Sequence, residues 1–229
     1  MGEVNISMSL VEVEWLKEHL KNDNLVILDA TLPKAIQGDV SKDLPVRRIP
    51  GARFFDIKSI FSDTSATFPN TWPGEDVFNK AAQKLGVNKN SAIVVYDDLG
   101  IYSSARAWWM FKAMGHTNIA VLNGGLPAWS RAAYDLEEKT TIEIEQGDFA
   151  GKYNPDFFQD HQNVLDHLSD KEQIVVDARA ENRFLGLVDE PRPGLRSGHI
   201  PGSKNLSYTD LLIEGKMLDL AELKEEFYS

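Results

Sequence analysis

At 229 residues the chain exceeds the usual size of one domain and sits at the lower end for two. No apolar run approaches the length that crosses a bilayer, and the acidic start MGEVNISMSLVEVEW lacks the basic then apolar pattern of a secretory signal, so a cytoplasmic protein is expected. Zero cysteines exclude disulfides, thiolate metal sites and a cysteine nucleophile among these residues, and a net charge of −11 excludes a general nucleic-acid or anionic-membrane surface.

The first predicted element is a short amphipathic helix in SLVEVEWLKEHL, with Trp15, Leu16 and Leu20 on one face, followed by a polar turn and a buried strand from Leu25 to Asp29. The turn RRIPGARFF occupies residues 47 to 55. A strand SAIVVYDD (91 to 98), a helix ARAWWMFKAMG (105 to 115), a strand IAVLNGG (119 to 125) and GLPAW come next. Strands that are continuously apolar, separated by helices, predict an α/β architecture: a parallel sheet with helices on both faces. Trp108, Trp109 and Phe111 are assigned to core packing, and Asn123, Gly124 and Gly125 to a tight strand-to-helix turn. The polar stretch 136 to 156 breaks the rhythm and is read as an interdomain linker with one edge strand, giving domains 1–147 and 148–229.

After the linker the pattern begins again. DFFQDHQNVLDHLSDKEQIVVDA carries a helix with Val164, Leu165 and Leu168 and a strand from Ile174 to Asp177. SGHIPGSKNL then repeats Ile-Pro-Gly at 200 to 202. The copies are offset by 148 residues at Asp29 and Asp177 and by 151 at Pro50 and Pro201, as a duplicated domain with a loop insertion would be. The second copy has no counterpart of VVYDD, ARAWWMFKAMG or VLNGG, so it is expected to be incomplete, with an uncovered apolar face, poor protection over 151 to 229 and possible self-association.

Other chemistries find no support. The five histidines show no His-x-x-His or His-Glu-x-x-His spacing, and neither a G-x-S-x-G elbow nor a dinucleotide fingerprint occurs. No metal and no cofactor is expected.

LDA…IPGARFFDI, VVYDD…YSSARAWWMFKAMG…VLNGGLPAW and VVDARAENRFLG…EPRPGLRSGHIPGSKN together resemble the two-domain rhodaneses, in particular their 3-mercaptopyruvate sulfurtransferase branch. The resemblance spans about residues 10 to 212. It implies tandem rhodanese-like domains, the first structural and the second catalytic, in which a cysteine takes sulfur from a small anionic donor and holds it as a persulfide for a thiol acceptor. That cysteine loop is expected past Ser229. The resemblance assigns the donor's carboxylate to Arg183, in AENRF, and Arg192, in DEPRPG; guanidinium forks suit a carboxylate through two parallel charge-assisted hydrogen bonds. Arg179 is expected to pair with Asp177 or another carboxylate, and His199 to be structural. Arg48 stands where the mercaptopyruvate enzymes carry a first-domain histidine, which argues against a histidine proton relay and offers a cation for anionic donors. Asp97 stands where a catalytic domain has cysteine. Tyr102, Ser103 and Arg106 follow it toward the expected domain interface, Arg106 as an ion-pair partner and Tyr102 as a candidate border of the substrate pocket. Two functions are compatible with these residues: part of a sulfurtransferase acting on 3-mercaptopyruvate or thiosulfate, or a catalytically inactive rhodanese-like binding or vestigial protein.

Overall fold

LVILD and AIVVY carry no polar alternation because both faces of their sheet are covered. In the computed structural model, which describes residues 2–32, 47–140, 143–168, 170, 173–191 and 194–228, they form the centre of a five-stranded parallel sheet of order β1-β6-β5-β2-β4. Its strands and helices are, in chain order, β1 (Leu10–Val11), α1 (Val13–His19), β2 (Leu25–Asp29), β3 (Arg47–Arg48), β4 (Arg53–Phe54), α2 (Glu75–Lys84), β5 (Ala92–Tyr96), α3 (Ser104–Ala113), β6 (Ile119–Leu122), α4 (Gly125–Arg131) and β7 (Glu137–Glu138). β3 and β7 form a separate antiparallel pair, Arg48 opposite Glu137.

Successive side chains of a strand point to opposite faces, and β5 shows the consequence. Ala92, Val94 and Tyr96 join Leu16 of α1 and Ala128 and Trp129 of α4 in one core cluster, while Ile93 and Val95 are buried as well. A second, aromatic cluster contains Phe78 of α2 and Phe111 of α3 with Phe55, Phe61 and Phe149. Of the predicted aromatic run only Phe111 is fully buried; Trp109 is 42% exposed and its indole N–H donates to the Phe157 carbonyl at 2.9 Å.

The chain divides into two units after Phe157, beyond the expected boundary at 147/148. The stretch read as a linker stays tied to the first unit: Phe149 N–H donates to Val87 O at 3.0 Å, Lys152 N–H to Met114 O at 3.0 Å and Asn154 N–H to Ala113 O at 2.8 Å. The buried Phe149 ring anchors it.

The second unit contains α5 (His161–His167), β8 (Val176–Asp177), α6 (Glu181–Phe184), β9 (Lys204–Asn205), β10 (Leu212–Ile213), β11 (Lys216–Met217) and α7 (Leu220–Tyr228). β8 and β9 pair in parallel with Val176 opposite Lys204 and Asp177 opposite Asn205, the register that β2 and β4 adopt with Leu28 opposite Arg53 and Asp29 opposite Phe54. The turns match too: Ala52 N–H donates to Ile49 O and Ser203 N–H to Ile200 O, both at 3.0 Å. Gly51 and Gly202 adopt φ of 75° and 82°, left-handed conformations that favour glycine. Packing differs between the units. Among the described residues of the second unit no hydrophobic side chain is buried, and Leu165, Ile174, Leu187, Ile213, Leu220 and Phe227 are each more than half exposed. This is the uncovered apolar face expected from the sequence: among the described residues the parallel sheet of the second unit has two strands, β8 and β9, and Leu165 of α5 is exposed.

Candidate functional site

In a parallel α/β sheet the loops at the carboxyl ends of the strands gather functional groups. In the first unit this end carries Asp29, at the close of β2, and Asp97, one residue past β5. Asp97 is fully buried, and its carboxylate accepts from Leu99 N–H at 2.9 Å, Tyr102 N–H at 2.8 Å, Ser104 N–H at 2.9 Å and the Ser104 hydroxyl at 2.6 Å. Successive amides curled toward one point form an anion nest at the start of α3. Here the nest is filled by the side chain of its own first residue. Gly125 holds the loop from below: a Cβ there would lie 2.4 Å from Asp97 O and 2.6 Å from Gly100 O. Ser103 is buried beside the nest, whereas Tyr102 is 48% exposed.

Arg48 is buried, and its Nε donates to Glu137 Oε1 at 2.7 Å, an oxygen that also accepts Gly51 N–H at 3.1 Å. Its Nε is therefore met within the unit by the carboxylate opposite it, while Nη2 is buried with no hydrogen-bond partner among the described residues. Asp29 accepts from Thr31 N–H at 3.1 Å and pairs with Lys139 Nζ at 2.6 Å. Burial, with the neighbouring Asp29 charge adding to it, pushes the Tyr96 hydroxyl far above its ordinary range. Arg106 donates to the carbonyl of Asn70, a neutral acceptor in place of the carboxylate expected from the sequence, and burial lowers its pKa.

In the second unit the site residues sit on the turn from β8 into α6 and on the loop that follows. Arg179 Nε reaches both Asp177 carboxylate oxygens at 2.9 and 3.0 Å, Nη2 reaches Asp177 Oδ2 at 2.5 Å and Gly198 O at 2.8 Å, and Nη1 reaches Glu190 Oε1 at 2.8 Å. Arg183 meets the same Glu190, Nε to Oε1 at 3.3 Å and Nη2 to Oε2 at 2.5 Å. Two arginines and two carboxylates thus form one chain of ion pairs. The Arg179 hydrogen bonds hold Asp177 below the usual carboxylate range, and those from Arg183 do the same for Glu190. Arg179 is correspondingly raised, chiefly by its bonds to Asp177. His199 stacks on Phe184, ring centroids 3.8 Å apart, with Nδ1 2.7 Å from the Phe184 carbonyl oxygen. Arg192 lies outside the described residues.

The structure therefore joins Arg179 and Arg183 through Glu190, a residue the sequence analysis did not single out, although it stands in the quoted DEPRPG. An acid placed between Arg183 and Arg192 in the sequence is the signal that could have found it. Glu137 and Lys139 were likewise passed over inside the stretch read as linker. Among the described residues no group of three or more His, Cys, Asp or Glu could hold a metal ion, and no helix is long and apolar enough to cross a membrane.

The chain is similar to known proteins over most of its length. The rhodanese-like domain family matches residues 12–132. The 3-mercaptopyruvate sulfurtransferase of Escherichia coli K12 is 37% identical over 220 residues, covering 95% of this chain and 78% of that protein. The human 3-mercaptopyruvate sulfurtransferase is 36% identical over 220 residues, 93% of this chain and 73% of its own length. Among solved structures, SseA of Escherichia coli, described as a 3-mercaptopyruvate sulfotransferase of rhodanese fold, superposes with a TM-score of 0.85 at 34% identity, covering 97% of this chain and 83% of that one.

Proposed function

The chain belongs to the rhodanese-like family of sulfurtransferases, and from that premise we propose that its second unit receives the small anionic donor of a sulfur-transfer reaction, 3-mercaptopyruvate or thiosulfate, with Arg183 and Arg192 on the donor's anionic group. In that reaction a thiolate attacks the donor sulfur, the carbon–sulfur or sulfur–sulfur bond breaks, and pyruvate or sulfite leaves while a persulfide forms. The persulfide then passes its outer sulfur to a thiol or cyanide acceptor. None of the 229 residues is cysteine, so this chain by itself supplies donor recognition and no nucleophile. The observation that carries the reading is Arg183: its guanidinium is held on one edge by Glu190, and among the described residues no hydrogen bond engages the other edge, which suits a carboxylate.

The absence of cysteine also favours a second reading, a rhodanese-like protein that binds anions or thiols without turnover. The exposed apolar residues of the second unit favour self-association. The test is to incubate the purified chain with 3-mercaptopyruvate or thiosulfate and a thiol acceptor, following pyruvate and sulfite, and to titrate pyruvate in parallel. Binding without turnover is the expected result; steady product release would overturn the assignment of the nucleophile, and absence of binding would overturn the donor site.

A further inference from the structure

Glu190 stands between two guanidiniums whose freedom is very different. Arg179 is fixed on three sides, by both oxygens of Asp177, by the Gly198 carbonyl and by Glu190 itself. Arg183, on the short helix α6, meets Glu190 alone among its described hydrogen-bond partners. The Glu190 side chain is only 5% exposed, so its position is set by the surrounding chain and by Arg179. It is the fixed point from which Arg183 is aimed.

A guanidinium offers two bidentate edges in its plane. Glu190 takes the edge formed by Nε and Nη2, at 3.3 and 2.5 Å. Because the guanidinium is planar, the edge formed by Nη1 and the second Nη2 hydrogen lies in the same plane and faces away from the edge that Glu190 holds. Resting on the donor reading above, we infer that Glu190 is a specificity-determining residue: it fixes the plane and the edge that Arg183 turns to the donor, and so favours a planar carboxylate over an anion without direction. The charges have a further consequence. Asp177 and Glu190 balance Arg179 and Arg183, so the four-residue chain attracts an anion weakly at long range and selects it by geometry at contact.

A positioning carboxylate and a purely structural one separate in their effect on selectivity. Pyruvate and bromide carry the same charge, so removing the negative charge of Glu190 strengthens the general attraction for both alike and cancels in the ratio of their affinities. Loss of a fixed plane weakens pyruvate alone, by the order of one charge-assisted hydrogen bond, about tenfold. The experiment is an NMR titration of the full chain with sodium pyruvate and sodium bromide at constant ionic strength, on wild type, Glu190→Gln and Arg183→Ala, with the amide spectrum of each variant checked for retained dispersion. The expected result is pyruvate binding that is lost in Arg183→Ala, and a pyruvate-to-bromide preference that falls about tenfold in Glu190→Gln. If Glu190→Gln fails to fold, Glu190→Asp replaces it; one methylene shorter, it keeps the charge but cannot span both guanidiniums, and the preference falls again. An unchanged preference in a folded variant whose pyruvate binding still depends on Arg183 overturns the role of Glu190 and leaves the donor site standing. Pyruvate binding that survives Arg183→Ala, or fails in wild type, overturns the donor reading and this inference with it.

Discussion

Replacing Asp97 with alanine should be among the most damaging single changes in the first unit. Its carboxylate accepts three amide protons, from Leu99, Tyr102 and Ser104, and the Ser104 hydroxyl, all within 2.9 Å and with the residue fully buried. Alanine removes every acceptor at once. A buried donor left unmade costs about 1–3 kcal/mol; the hydroxyl can turn to another acceptor and water can enter the vacated volume, so the three amides together should cost about 3–5 kcal/mol. Against the 5–15 kcal/mol typical of a domain, that leaves the unit marginal. Native-state hydrogen exchange at the β5 amides Ile93, Val94 and Val95, which open only with the sheet, measures the loss directly. Their protection should fall about a hundredfold to a few thousandfold. A fall of less than about tenfold would refute the view that the nest depends on its internal carboxylate. Asp97→Asn, which keeps one oxygen but turns an N–H₂ toward donors, should lie between wild type and alanine.

Gly125→Ala should prevent the first unit from folding, since its φ is 51° and the new Cβ would lie 2.4 Å from a backbone oxygen; a folded variant with native-like amide dispersion would contradict the close approach of α4 to the Asp97 loop. Burial holds the His116 pKa below its ordinary 6.5, so the unfolded chain binds the proton first. Stability of the first unit should be full above about pH 6.5 and fall as pH drops toward the lowered folded value; the urea midpoint should show this between about pH 7.5 and 5.5, and a His116→Gln variant should show a flatter profile. Asp177 and Glu190 have the usual carboxylate sign, their folded values lowered by Arg179 and Arg183. What they contribute is present above the unfolded carboxylate range, about pH 4, and lost only as pH falls through the lower folded values; an Arg179 Nε–H resonance that broadens away already above pH 5 would count against the network.

The central strands were legible because their apolar runs are continuous, and β5 is buried along its whole length. The repeated Ile-Pro-Gly was legible as a shared turn, and Gly51 and Gly202 show why the residue recurs. Exposure in the second unit was legible as well: Val164, Leu165 and Leu168 have the spacing of a core face, but the second copy has no counterpart of VVYDD, ARAWWMFKAMG or VLNGG to form a facing layer, and Leu165 is more than half exposed. Trp109 was not legible: it was assigned to the core, but its indole N–H is spent on a carbonyl of a segment 48 residues away and the residue is 42% exposed. At the candidate sites, Asp177 and Arg179 lie two residues apart, and their pairing was anticipated. Arg48 and Glu137, separated by 89 residues, were not, because only the fold brings β3 and β7 together. Glu190, 11 residues from Arg179, fell between these cases.

All five tryptophans, at 15, 72, 108, 109 and 129, belong to the first unit. Emission excited in the indole band therefore reports on the first unit and is blind to the second, which carries Arg179, Arg183 and Glu190. A melting curve read that way can look cooperative and complete while the second unit has already lost its order, or has none to lose. Tyr208, whose N–H donates to the Ala178 carbonyl at 3.0 Å beside the β8–β9 pair, is the position at which a single tryptophan would give that unit a signal of its own.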